Sequence, residues 1–133
     1  MRDIRKYEVF QLADRLVLRV YRATTAFPRE ELFGLTAQMR RAACSIPMNL
    51  VEGASRPGNR DFGHFVSIAI GSCEELRYQV HLAQELGYMA DSVAQELEEA
   101  YIRVVQMLSK LASTVAGRGQ RAAAGGKRSL DGG

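Results

Sequence analysis

The chain has 133 residues, of which 47% are hydrophobic and 25% charged, with a net charge of +3 and no tryptophan. This length fits one domain, and the composition is that of a soluble globular protein. No apolar run approaches the ~18 residues of a membrane span. Charges in the first ten residues, MRDIRKYEVF, leave no room for the apolar core of a signal peptide. We therefore expect a cytoplasmic protein that does not enter a membrane.

Four amphipathic segments with apolar residues at helical spacing follow one another along the chain. They predict helices over residues 9–26, 35–52, 60–86 and 92–115, separated by breakers such as Phe27-Pro28, Pro57-Gly58 and Gly87. Gly53 is a candidate C-cap of the second helix, and Asn59 a candidate N-cap of the third. No segment alternates as a strand would. The prediction is an all-α domain, an antiparallel up-down-up-down four-helix bundle over residues 1–116.

The last 17 residues, GRGQRAAAGGKRSLDGG, differ sharply in composition from the rest of the chain. They contain six glycines and no aromatic residue. Such a segment offers too little apolar surface to form a core. We expect residues 117–133 to form a disordered tail rich in glycine and arginine.

The second predicted helix contains a proline, Pro47, at an interior position. An interior proline removes a backbone hydrogen bond and clashes with the carbonyl four residues earlier, which costs roughly 3 kcal/mol. We predict a kink in the helix at Pro47 that fits the bundle or a contact between subunits.

The third predicted helix is apolar on two sides. One continuous stripe suits the bundle core, and a second set lies on another side: Ile68, Gly71, Leu82 and Leu86. A helix that is apolar on two sides is usually buried on two sides. This second set is therefore a candidate interface between subunits, where glycine would permit close helix approach. The alternative is a wide stripe with scattered surface leucines.

Residue types that carry catalysis or bind metal form no constellation. His64 and His81 lie 17 residues apart on one predicted helix, about 25 Å at 1.5 Å per residue. No phosphate-loop, dinucleotide-binding, GxSxG or HExxH motif occurs. Cys44 and Cys73 are expected to be small buried hydrophobes. We therefore expect no catalytic, cofactor-binding or metal-binding residue, no small-molecule substrate and no enzymatic activity.

Charge is segregated along the chain. Residues 1–60 hold 11 basic and 6 acidic residues, residues 61–116 hold 3 and 8, and residues 117–133 hold 4 and 1. Basic helices could attract acidic helices within one bundle. Alternatively, the basic half could meet phosphate or the acidic half of another subunit.

Seven arginines of the first two helices and the following loop are candidates for binding nucleic-acid phosphate: Arg15, Arg19, Arg22, Arg40, Arg41, Arg56 and Arg60. The first three fall at i, i+4 and i+7 on one face, and such stripes can follow a phosphate backbone. The alternative is a solvated face with local ion pairs, for example between Arg41 and Glu52.

The segments GLTAQMRRAACSIPMNLVEG, RDFGHFVSIAIGSCEELRYQV and LAQELGY resemble the bacterial family of four-helix bundle proteins encoded within intervening sequences of large-subunit ribosomal RNA genes. The resemblance extends from about Tyr7 to Val115. It implies a four-helix bundle and a ring-like homo-oligomer, with a pentamer favoured because relatives that are accessory proteins of diversity-generating retroelements form pentamers. It also implies a nucleic-acid role.

Two functions remain open at this stage. The first is a non-enzymatic oligomeric bundle that binds structured RNA or DNA through the candidate arginines. The second is a homo-oligomeric scaffold that binds another protein, with no nucleic-acid role. An enzyme has no positive support in the sequence.

Overall fold

In the computed structural model, the backbone of residues 2–131 and the side chains of residues 2–117 are described. The chain forms four α-helices: α1 (Glu8–Thr24), α2 (Leu35–Ala54), α3 (Asn59–Glu85) and α4 (Asp91–Asp131). Short 3₁₀ turns, Ile4–Lys6 and Arg29–Glu31, precede α1 and α2. Residues 2–131 contain no strand. The prediction of an all-α fold with four helices is confirmed.

Neighbouring helices pack side by side in chain order, and α4 closes the bundle against α1. Two contacts between each pair of neighbouring helices fix the direction of the pair: Tyr21–Cys44 and Thr24–Arg40, Ser45–Ser72 and Gly53–Phe65, Arg77–Glu98 and Gln84–Asp91, Glu8–Arg103 and Arg19–Glu96. In each set of two contacts, the residue number rises along one helix while it falls along the other. Adjacent helices therefore run in opposite directions. One end of the bundle holds the α1–α2 and α3–α4 connections, and the other holds the α2–α3 loop.

The core is formed by the apolar stripes of all four helices. The largest fully buried side chains include Tyr101, Phe62, Met39, Ile46 and Leu50. Burial of an aliphatic or aromatic side chain of this size contributes about 1.5–3 kcal/mol relative to leaving it exposed. The Tyr101 hydroxyl has no hydrogen-bond partner among the described residues. Burial raises the pKa of this phenol far above its usual value.

Gly53 is a packing residue and not the helix cap predicted from the sequence. It lies inside α2 and is buried. A Cβ atom at this position would lie 2.7 Å from the Cβ of Phe65 and 3.1 Å from Cδ2 of Phe62. The absence of a side chain therefore allows α2 to approach α3 closely.

The start of α3 also differs from the prediction. Gly58 is the N-cap, and Asn59 is the first helical residue. The Asn59 side chain does not cap the helix; its Oδ1 accepts a hydrogen bond from the Arg2 guanidinium. A contact across 57 residues has thus replaced the local cap, which no local pattern could indicate.

Pro47 lies inside α2 and is buried. α2 continues through it from Leu35 to Ala54, and the kink stays a prediction. The predicted disordered tail, residues 117–133, falls almost wholly on residues whose side chains lie outside the described part. That prediction also stays open.

None of the described helices contains a stretch long and apolar enough to cross a lipid bilayer.

Candidate nucleic-acid interface

The seven candidate arginines occupy four separate places and do not form one surface. Three lie on the exposed face of α1, one in the seam between α1 and α2, one on the outside of α2, and two near the α2–α3 loop. Each place has a different electrostatic environment, which determines how much charge is left for a ligand.

The α1 arginines lie beside α4. Arg19 forms an ion pair with Glu96, with Nη2 and Oε2 2.5 Å apart. Arg15 and Arg22 are exposed and form no ion pair with any residue between positions 2 and 117. They border a groove between α1 and α4 of about 520 Å³ whose walls are mostly leucine and alanine. The charges of Arg15 and Arg22 are therefore not neutralised by an ion pair and are available to a partner.

Arg40 is a structural residue that ties α2 to α1. Its Nε donates to Oγ1 of Thr24 at 2.9 Å, and its Nη2 donates to the carbonyl oxygen of Tyr21 at 3.3 Å. The guanidinium also lies over the Tyr21 ring, 4.7 Å from the centroid. These contacts hold one edge and one face of the guanidinium. Arg41, by contrast, is exposed on the outside of α2.

Arg56 and Arg60 lie at the end of the bundle that carries the α2–α3 loop. Arg56 pairs with Glu52 at 2.6 Å, and its guanidinium lies over the ring of Phe65, 5.4 Å from the centroid. Glu52 therefore does not pair with Arg41, and that predicted example was wrong. Arg60 is exposed in the first turn of α3.

Arg2 also lies at this end of the bundle, and it was not among the arginines predicted from the sequence. Its guanidinium lies over the Phe62 ring, 4.2 Å from the centroid, and donates to Asn59. It also borders a groove of about 420 Å³ that Lys110 shares. A charged residue near a chain terminus, far in sequence from its partners, gives no local signal.

Three arginines thus converge on the first turns of α3, and we call Arg2, Arg56 and Arg60 the basic end. Two of the three guanidiniums lie over phenylalanine rings one helical turn apart, Phe62 and Phe65. Such stacking stabilises an arginine by about 0.5–1 kcal/mol at an exposed site. It also restricts the rotamers of a long side chain, so less entropy is lost when a ligand binds.

The α3–α4 side of the bundle has the opposite character. Arg77 there bridges two carboxylates, with Nη1 3.0 Å from Glu74 and Nη2 2.8 Å from Glu98. The hydrogen bond to Glu98 is the main cause of its raised pKa. A groove of about 730 Å³ beside this cluster also contains His81 and Asp91. This side is unsuited to phosphate.

The described side chains that could take part in catalysis or bind a metal do not cluster. Residues 2–117 contain no cluster of three or more histidine, cysteine or acidic side chains that could hold a metal ion. Cys73 is buried, and burial raises the pKa of its thiol to about 12. Cys44 is half-buried, with Sγ 3.9 Å from the Tyr21 hydroxyl oxygen.

The candidate interface residues of α3 lie on its outer side. Ile68 and Leu86 have 38% and 49% of their surface exposed, whereas Leu82 packs partly against the core. A Cβ atom at Gly71 would meet nothing within 4 Å. Gly71 is therefore not needed for packing within the chain.

Comparisons with known proteins place this fold in a family. A crystal structure from Bacteroides thetaiotaomicron, of a protein with unknown function from the S23 ribosomal protein family, is similar with a TM-score of 0.73. The similarity covers 79% of this chain and 95% of that chain, at 17% sequence identity. No curated protein matches the sequence. The model of the 23S rRNA-intervening sequence protein family matches residues 5–110, and the chain belongs to that family.

Proposed function

We propose that this protein is a non-enzymatic bundle that binds the phosphate backbone of structured RNA or DNA at the basic end. The observation that carries the proposal is the stacking of Arg2 and Arg56 on Phe62 and Phe65, beside the exposed Arg60. Guanidiniums held in this way present N–H groups to a planar or tetrahedral anion with little further loss of entropy.

The existing partners of these arginines do not remove them from binding. Asn59 is neutral, so Arg2 keeps its full charge. The Arg56–Glu52 pair is about half exposed on both sides, and such surface pairs contribute about 0–1 kcal/mol. A phosphate group can therefore replace the carboxylate at small cost.

Further positive charge lies nearby. Lys110 borders the same groove as Arg2, and α4 passes this end at Val115. Arg15, Arg22 and Arg41 are a second, separate set of exposed arginines and have a smaller role in the proposal.

The contacts would be to phosphate, with little base reading, because arginines at the end of a bundle do not enter a groove as a recognition helix does. The family description refers to intervening sequences of 23S rRNA, so an RNA hairpin is the first probe. A DNA duplex is the second.

Fluorescence anisotropy with both probes, over a range of salt concentrations, tests this function. Three phosphate contacts predict a slope of log K against log salt of about −2 to −3. Absence of binding at low salt, or an affinity that does not depend on salt, would contradict the proposal.

We also propose that the chain forms a homo-oligomer, a pentamer by resemblance to its family, through the outer side of α3. Exposed Ile68 and Leu86 and the open space at Gly71 support this. Gly71→Leu should then reduce the native mass, with Gln106→Leu, at an exposed position of α4, as the control. An unchanged mass in Gly71→Leu would count against this interface.

The second candidate function is a scaffold whose oligomer binds another protein without nucleic acid. The observation that favours it is the same exposed apolar side of α3. The scaffold alone would account for an oligomer that binds neither probe at low salt.

A further inference from the structure

The connection between α1 and α2 carries an exposed aromatic side chain that is not buried by any residue between positions 2 and 117. Phe33 has 92% of its surface exposed, and Leu32 before it has 47%. A phenylalanine in water leaves a large apolar surface unburied, and aromatic side chains that fill a pocket often dominate protein interfaces. Phe33 therefore has the properties of an anchor for a partner.

Two acidic residues precede this anchor. Glu30 and Glu31 lie in the 3₁₀ turn Arg29–Glu31 and form no ion pair with any residue between positions 2 and 117. With Arg29, the loop carries a net charge of −1. A suitable partner surface would combine an apolar pocket with an excess of positive charge at its edge.

The groove between α1 and α4 has both properties. Its apolar walls include Leu12, Leu16, Leu97 and Ala100, and Leu18 beside them is 56% exposed. Its edge carries Arg15, Arg19 and Arg22, of which only Arg19 is neutralised, by Glu96. The volume of about 520 Å³ accommodates a phenylalanine side chain.

We propose that Phe33 of one copy of this chain docks into the α1–α4 groove of a second copy, with Glu30 and Glu31 facing Arg15 and Arg22. Within one chain, Phe33 points into solvent, so the two surfaces meet only between molecules. The contact joins different surfaces of the two copies, and repetition of it gives a ring or a filament.

The inference shares with the proposed function only the premise that copies associate. It concerns other residues than the outer side of α3 and the basic end. Nucleic-acid binding at Arg2, Arg56 and Arg60 does not depend on it.

Sedimentation velocity of two variants, alone and mixed, tests the contact. Phe33→Ser removes the anchor, and Ala100→Arg fills the groove. Each alone should have a dissociation constant for self-association raised about 30-fold. Mixed, they should associate more tightly than either variant alone, because one variant keeps an intact groove and the other an intact anchor. Val51→Ser, at another exposed apolar position, is the control and should associate normally.

The possible outcomes distinguish failure of this particular contact from failure of the premise that copies of the chain associate. A wild-type chain that is monomeric at all concentrations overturns both. A wild-type oligomer whose mass is unchanged by Phe33→Ser overturns the contact alone. Two dissociated variants that fail to combine when mixed also overturn it. Because Phe33 is exposed, its replacement should not unfold the chain, and circular dichroism checks this.

Discussion

The guanidinium of Arg2 lies over the ring of Phe62, with Cζ 4.2 Å from the ring centroid, and joins the start of the chain to the first turn of α3. Phe62 itself is fully buried, so the ring cannot move away from the arginine. The stack fixes the position of a charge that would otherwise be free near a chain end.

Variants of Arg2 should separate its charge from its stacking. Arg2→Gln removes the charge and should reduce the salt slope of RNA binding by about 1. Arg2→Lys keeps the charge but loses the planar stack, so the affinity should fall several-fold at an unchanged slope. Anisotropy titrations at several salt concentrations measure both quantities. Equal effects of the two variants on the slope would argue against a phosphate contact by Arg2.

Gly53→Ala should destabilise the bundle. The added Cβ would lie 2.7 Å from the Cβ of Phe65, and overpacking of this kind costs about 1–3 kcal/mol. The gain in helix propensity is only about 1 kcal/mol. Gly63→Ala is the matched control, because its Cβ would lie at an ordinary 3.9 Å from Cγ1 of Val115. Denaturant unfolding should show a lower free energy of unfolding for Gly53→Ala and a higher one for Gly63→Ala. A higher free energy of unfolding in both variants would show that α2 can move away from α3 at no cost.

Tyr101→Phe should raise the free energy of unfolding by about 1 kcal/mol. The hydroxyl is buried without a partner among the described residues, and removing an unpaired polar group relieves its desolvation. Tyr78→Phe, at a position that is 64% exposed, should change nothing. Thermal unfolding compares the two. A marked loss of stability in Tyr101→Phe would mean that the hydroxyl has a bond in the folded protein.

Cys73 should resist alkylation in the folded protein. Burial raises its pKa to about 12, and the thiolate is the reactive form. Because the folded pKa is raised, the contribution of Cys73 to stability is complete below the unfolded value near 9 and is lost as the pH rises toward 12. Labelling of a Cys44→Ser variant with iodoacetamide should be slow until unfolding. Rapid labelling at pH 8 would contradict this burial.

The sequence predicted the four helices because each has an apolar stripe several turns long, such as Val66, Ala69, Cys73, Leu76 and Val80 in α3. These residues are buried as expected. The residue types expected at helix ends were less informative. Gly53 and Asn59 have the residue types of helix caps, but both make contacts between distant segments instead.

The candidate site was predictable only in part. Spacing along a helix indicated that Arg15, Arg19 and Arg22 share a face, because that relation is local. It could not indicate that Glu96 neutralises Arg19, that Thr24 and Tyr21 hold Arg40, or that Arg2 stacks on Phe62. These relations depend on which helices are neighbours and at what height, and they decide which arginines keep charge for a ligand.

The most direct test compares two triple variants with the same change of charge in the RNA-hairpin titration. Arg2, Arg56 and Arg60 are replaced by glutamine in one, and Arg15, Arg19 and Arg22 in the other. If phosphate binds at the basic end, the first variant should lose most of the affinity and about 2–3 units of salt slope, while the second keeps most of both. Equal losses, or a greater loss in the second variant, would contradict binding at the basic end.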